Sequence, residues 1–312
     1  MASEKPYSGT RRLSGSDLFG PLVPLDVATL FYILFSTIYI CFGVSRLHDM
    51  SYHLLIRAGT VGLIFSLAFL RQKFPNEFVS FFRYLYPLLF LGFFYTETSY
   101  LKNIIFEKNL DPFFCDAESG LFGCQPSLEF SKKMPQPWFN ELMNLCYFSY
   151  YIMTSVLCII IYFKNRAESF KSIFILIFSF YLYYIIFAIF PVVGPQYHFG
   201  HPEAEPHYVF GKIMHYILVN AEEPTGAFPS SHVGIAIITV YIAFKHQKKL
   251  FYIFLPFAIG ICFATVYLRA HYLVDVFGAI ITVPVFISIS NLVYNKLYTR
   301  TQGSETARIS SD

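Results

Sequence analysis

The chain has 312 residues, of which 55% are hydrophobic, 20% aromatic and only 14% charged. Soluble domains carry about 25% charged residues, and apolar runs near 20 residues recur here, the length that crosses ~30 Å of hydrocarbon. A soluble or disordered chain is thereby excluded, and a net charge of +3 is too small to mark a nucleic-acid binder.

Residues 1–21 are polar and are expected to form a cytoplasmic tail. Eight apolar runs follow, at roughly 22–44, 54–70, 80–101, 142–163, 171–190, 229–244, 250–268 and 273–295. They do not alternate polar and apolar residues, as barrel strands must, so helices are the only spanning form left. The expected fold is an all-α, polytopic integral membrane helical bundle of about eight transmembrane helices. The first run is too long for the apolar core of a cleaved signal and reads as a retained span.

With the N-terminus in the cytoplasm, Arg71, Lys73, Lys164, Arg166, Lys171 and the Lys245–Lys249 turn fall inside, as the positive-inside rule requires. The loop 191–228 then lies outside and carries Glu203, Glu205, Glu222 and Glu223 against Lys212. The loop 102–141, with Pro112, Pro126, Pro135, Pro137 and Trp138, is expected along the interface. Cys115 and Cys124 share it, either as a disulfide or as two free thiols. Apolar residues at helical spacing predict a short surface helix over 208–219, and the Ser/Thr-rich stretch 299–312 a disordered tail. Arg57 and Arg83, near span ends, are expected to snorkel, and Glu97 to bond within the bundle. His48, His53, His198, His201 and His207 have no metal-ligand spacing, so no metal and no cofactor are expected.

Chemistry concentrates in two short stretches, Phe228-Pro-Ser-Ser-His232 and Tyr267-Leu-Arg-Ala-His-Tyr-Leu-Val-Asp275. An Asp or Arg at a helix centre in a bilayer costs about 2.5–3.5 kcal/mol, so charges at the mouth of apolar runs mark function. His271 and Asp275 are four apart, which predicts one helix face and about 6 Å between them. The carboxylate can then take a proton from one imidazole nitrogen and leave the other as nucleophile or base. Arg269 supplies a fork that fits phosphate oxygens. His232 opens the sixth span after Ser230 and Ser231, where a helix N-terminus would face an anion. Gln196 and His198, after the Gly194-Pro195 turn, are candidate substrate contacts on the same side. Two imidazoles, a carboxylate and an arginine suit phosphoryl transfer.

Pro-Ser-Ser-His followed by His-x-x-x-Asp resembles the type 2 phosphatidic acid phosphatase superfamily. Tyr267 to Gly278 looks most like the branch that contains inositol phosphorylceramide synthases, as do Leu110-Asp-Pro, Glu118-Ser-Gly-Leu-Phe-Gly123 and Pro126-Ser127 in the long loop. The resemblance covers about residues 105–285. It implies a six-helix phosphatase-like core preceded by two N-terminal helices, with N-terminal transmembrane helices over 22–101 and the catalytic membrane domain over 102–298. It also implies His271 as nucleophile, Asp275 orienting it, His232 protonating the leaving alcohol, and Ser230 and Ser231 holding phosphate oxygens.

The sequence departs from the family's pattern in its cations. Thr265 stands where the phosphatases carry an arginine six residues before the nucleophile. Gly194 replaces the arginine before Pro195, and the upstream lysine is missing. Arg269, one helical turn beyond Thr265, is expected to reach the same phosphate.

The first functional reading is a phosphatase acting on a lipid phosphate through a phosphohistidine, in a bacterial inner membrane, with its site on the periplasmic or lumenal face. The second is a headgroup phosphotransferase of the inositol phosphorylceramide synthase type. The third is an inactive lipid-binding or transport protein. The bilayer and a lipid phosphate are the expected partners.

Overall fold

A computed structural model describes residues 22–43, 50–74, 76–200 and 208–309; the tail 1–21 lies outside them. The described residues form twelve helices and no strand. The long ones are α1 (Pro24–Phe42), α2 (Met50–Lys73), α3 (Glu77–Leu101), α6 (Pro137–Lys164), α7 (Arg166–Ile189), α11 (Lys248–Tyr267) and α12 (Leu273–Ile309). All seven are long and apolar enough to cross a membrane. The eighth expected span is α10 (Ser231–His246), only 16 residues and about 24 Å long at 1.5 Å per residue. It starts two residues after the predicted run begins and ends two residues beyond it.

Local chemistry sets the helix starts. Pro24 and Pro137 occupy first turns, where a missing N–H costs nothing. The Asn76 side chain accepts from Val79 N at 2.9 Å and caps α3. α12 is drawn as helix to Ile309.

The packing centre is α7, which touches α1, α3, α6, α10 and α12. Phe174, Leu176, Ile177, Tyr183 and Phe187 are fully enclosed, so α7 is apolar all round. At one end of the bundle four short helices gather: α4 (Asp111–Phe122), α5 (Pro126–Lys133), α8 (Pro195–His198) and α9 (Val209–Asn220). α9 lies where the surface helix was predicted. α4 packs on α12 and α5 on α11, so the long loop folds over the bundle end as well as bordering it. Cys115 and Cys124 are free thiols.

Arg57 and Arg83 do not snorkel. Both are buried and paired: Arg57 grips Glu97 through both guanidinium nitrogens, with His53 Nδ1 2.8 Å from the same carboxylate. Arg83 pairs with Asp26, which also accepts from the Tyr86 hydroxyl at 3.0 Å. A charge inside a bundle is least costly when it meets its opposite, and these pairs clamp α2 and α1 onto α3. Arg57→Ala should therefore destabilise the bundle by about 3–5 kcal/mol, because Glu97 is left buried with only the His53 imidazole beside it. The Arg57→Leu/Glu97→Leu double variant should recover most of that loss, as read by thermal unfolding in detergent.

Candidate active site

The site end is built by backbone pairing between distant segments. After α7 the chain runs extended to Gly194, whose φ of 93° and contact with Ala270 leave no room for a side chain: a Cβ would sit 2.8 Å from the Ala270 oxygen. The arginine of the family's pattern cannot stand here without parting the two segments. Gln196 N donates to Arg269 O at 2.8 Å, which fixes the register.

Asp111 staples this corner. It accepts from Val193 N at 3.0 Å, Gly194 N at 2.9 Å and the Tyr272 hydroxyl at 3.0 Å. Glu118 accepts from Val274 N at 3.1 Å in the first turn of α12. Ser230 N donates to Asp275 O at 3.1 Å, and the Ser230 hydroxyl caps α10 by accepting from Val233 N at 3.3 Å.

These contacts bring the two histidines together. His232 Nδ1 lies 3.1 Å from His271 Nε2. His271 Nδ1 lies 2.7 Å from the Ala227 carbonyl, which can only accept, so Nδ1 carries the proton and Nε2 of the neutral ring is bare. His232 Nδ1 must then donate to it. On its other side His232 Nε2 is 3.2 Å from the Tyr147 hydroxyl, which also bonds Glu222 Oε1 at 2.7 Å. Gln196 Nε2 donates to Glu222 Oε2 at 2.9 Å. The rings of Tyr147 and Tyr150 flank the His232 imidazole at 4.8 and 4.6 Å.

Burial pushes the His271 pKa down to about 4, against the opposing charge of Glu222 and the Ala227 bond. His271 is thus a free base at neutral pH. Enclosure pushes Glu222 up, while its bonds from Tyr147 and Gln196 pull it down.

His232, Ser231 and Glu222 sit at the foot of a cavity of about 350 Å³, walled by apolar and aromatic residues of α3, α6 and α7. Exposed Gly92 on α3 and Tyr151 and Ser155 on α6 border its mouth. Among the described residues no lysine or arginine lines it.

Three expected site residues are placed otherwise than expected: Asp275 beside His271 but not bonded to it, and Arg269 and His198 away from the cavity. Asp275 was expected to take the imidazole proton, but its Oδ2 lies 3.5 Å from His271 Nδ1 and accepts from Tyr272 N at 2.8 Å. α12 starts at Leu273, so His271 precedes the helix, and the nearer Ala227 carbonyl takes its Nδ1 proton while Asp275 stands beside the ring. Arg269 does not line the cavity; its guanidinium reaches the Gly200 carbonyl at 3.4 Å. α11 ends at Tyr267 and Arg269 has a φ of 60°, so the helical relation to Thr265 is broken. His198 is exposed, with its ring 4.7 Å from Phe199. Glu222, Tyr147 and the Ala227 carbonyl join the site without having been expected there.

A sequence model described as the PAP2 superfamily matches residues 118–289, more than half of the chain and all of the network from Tyr147 to Asp275. The chain belongs to the PAP2 superfamily. No curated protein and no solved structure matches it. PAP2 proteins are generally phosphatases or phosphotransferases on lipid-like phosphates, so this one has an enzymatic family and a membrane-embedded fold. The match begins at Glu118, and neither α1–α3 nor Asp111 falls within it. Asp111→Ala should cost this PAP2 protein more stability than Tyr272→Phe. The first strands two buried N–H groups, at about 1–3 kcal/mol each, and the second removes one bond worth about 1 kcal/mol. Paired thermal melts check the order.

Proposed function

We propose that the protein transfers the phosphoryl part of a membrane lipid phosphate through a covalent bond to His271 Nε2. The observation that supports this best is the bare Nε2, fixed by the Ala227 carbonyl and facing His232 beside an apolar cavity. A lipid can slide between α3 and α6 with its chains against Leu88, Leu91 and Tyr184, its phosphate toward His232. Basic residues at the opposite end, among them Arg71, Lys164 and Lys249, favour a cytoplasmic position for that end and a periplasmic or lumenal site.

The reaction runs in two displacements. His271 Nε2 attacks phosphorus, the bond to the leaving alcohol breaks, and His232 passes its proton to that oxygen. Near-attack separations are about 3–3.5 Å, so phosphorus must come to where His232 Nδ1 now stands. Substrate binding therefore parts the two rings. In the second displacement an acceptor O–H gives its proton to His232, its oxygen attacks phosphorus, and Nε2 leaves. Ser231 lies close enough to the cavity to hold a phosphoryl oxygen, and the Gln196 Oε1, which has no partner, can accept from a hydroxyl. Asp275 fixes the turn that carries His271 rather than the imidazole itself.

With water as acceptor the protein is a lipid phosphate phosphatase. The second reading, headgroup transfer to an alcohol as in inositol phosphorylceramide synthases, draws on one observation: among the described residues the cavity is lined by a carboxyl and by no lysine or arginine. A phosphodiester brings one negative charge into such a site, a phosphomonoester up to two. Purified protein given lipid phosphomonoesters and phosphodiesters labelled at phosphorus, with and without alcohol acceptors, separates the readings. Free phosphate supports the phosphatase, and labelled exchanged lipid the transferase. His271→Ala should lose at least 10³-fold in either product while keeping its thermal midpoint within a few degrees. Unchanged turnover in that variant would contradict the bond to His271, and neither product from the unaltered protein would leave a lipid-binding protein.

A further inference from the structure

Among the described residues Glu222 is the only acid that lines the cavity. It sits in the loop between α9 and α10, outside both histidine motifs, with both carboxyl oxygens bonded: Oε1 to the Tyr147 hydroxyl, Oε2 to the Gln196 amide. Tyr147 has one proton and two neighbours, Glu222 and His232 Nε2. That single proton restricts what the chain of groups can be.

Take the His232 ring as neutral. Its Nδ1 donates to His271, so its Nε2 is bare and accepts the Tyr147 proton. The Tyr147 oxygen then accepts from Glu222, which must carry a proton. Take the ring as charged instead. Its Nε2–H donates to the Tyr147 oxygen, Tyr147 donates to Glu222, and Glu222 is a carboxylate. The two forms contain the same atoms and the same net charge of zero, and they differ by one proton shifted along Glu222, Tyr147 and His232.

We infer that Glu222 is the proton store of His232, acting through the Tyr147 hydroxyl as a positioning residue for the general acid. The inference rests on the phosphohistidine reading and deepens it. A lone imidazolium beside tyrosine rings and aliphatic walls is costly. With Glu222 one hydroxyl away, charging His232 creates an internal ion pair instead. The upward push on Glu222 from its enclosure keeps the neutral form within reach.

The protons balance over the cycle. In the first displacement the P–O bond breaks, the P–Nε2 bond forms, the stored proton leaves on the alcohol and Glu222 remains a carboxylate. In the second, the acceptor's proton enters at His232 and returns through Tyr147 to Glu222. Nothing else is consumed. The groups facing His232 are His271, Ser231 and the Tyr147 and Tyr150 rings; those facing Glu222 are Tyr147, Gln196 and, at longer range, His271, Tyr95, Tyr150, Tyr151 and Tyr197.

The test uses two lipid phosphodiesters with the same phosphoryl part, one leaving as an alkyl alcohol and one as p-nitrophenol. An alkoxide needs a general acid and nitrophenolate does not, and kcat/KM reports the first displacement alone. Glu222→Gln keeps the shape and hydrogen bonding but cannot store the proton. It should lower kcat/KM for the alkyl diester by about 10²–10⁴-fold, the usual worth of a general acid, and for the nitrophenyl diester by less than about tenfold. Tyr147→Phe breaks the same link from the other side and should give the same split. Equal losses on both substrates, or no loss on the alkyl diester, would overturn the inference. His271→Ala run alongside guards the premise: nitrophenol release that survives there removes the phosphohistidine reading itself, whatever Glu222 does.

Discussion

The Ala227 carbonyl takes the proton of His271 Nδ1 at 2.7 Å, and a carbonyl has nothing to give back. From this bond the state of every group inward follows: Nε2 is bare, His232 Nδ1 donates to it, and His232 Nε2 must come to terms with Tyr147. The bond exists because the fold holds Ala227 in place. Ala227 N donates to Val192 O at 3.0 Å, and Gly226, at a φ of 74°, lies so close to the Phe187 ring that a Cβ would sit 2.8 Å from it. The chemistry of the loop is thus referred back to α7, the helix around which the bundle packs.

Polar groups do the positioning at both levels of the structure, and each is paired. Asp26 with Arg83 and Glu97 with Arg57 attach the first helices to the rest. Asp111 and Glu118 hold the turn before α12 and its first residues. An unpaired charge at any of these places would cost several kcal/mol, which makes the arrangement selective for one packing. The candidate site differs in kind. Its carboxyl, hydroxyl and imidazoles share one proton among several acceptors, so it is satisfied in more than one form, as a group that must give and take protons has to be.

Much of the architecture was legible because bilayer thickness imposes a length on apolar runs, and seven of them became long helices, all but α12 within a few residues of the predicted bounds. The gathering of His232, His271 and Gln196 at one end followed from topology. What failed were arguments from helical spacing across a turn. His271 and Asp275 were treated as one face, and Arg269 as one turn beyond Thr265, yet the chain leaves the helix at Tyr267 and re-enters it at Leu273. Glu222 was hidden among acids of an apparently solvated loop, and Tyr147 among 24 tyrosines. Their meeting across 75 residues depends on α9 packing against α6, which no local pattern encodes. Arg57 and Arg83 looked like snorkelling residues because their carboxylate partners are 40 and 57 positions away.

The claim on which the account stands is the proton on His271 Nδ1 and the bare Nε2. Nitrogen-15 NMR of the histidine-labelled protein in detergent, with His271 assigned by comparison with a His271→Gln sample, reads this directly. The account predicts a protonated, pyrrole-type Nδ1 and an unprotonated, pyridine-type Nε2 at neutral pH. A protonated Nε2 with a bare Nδ1 would contradict it.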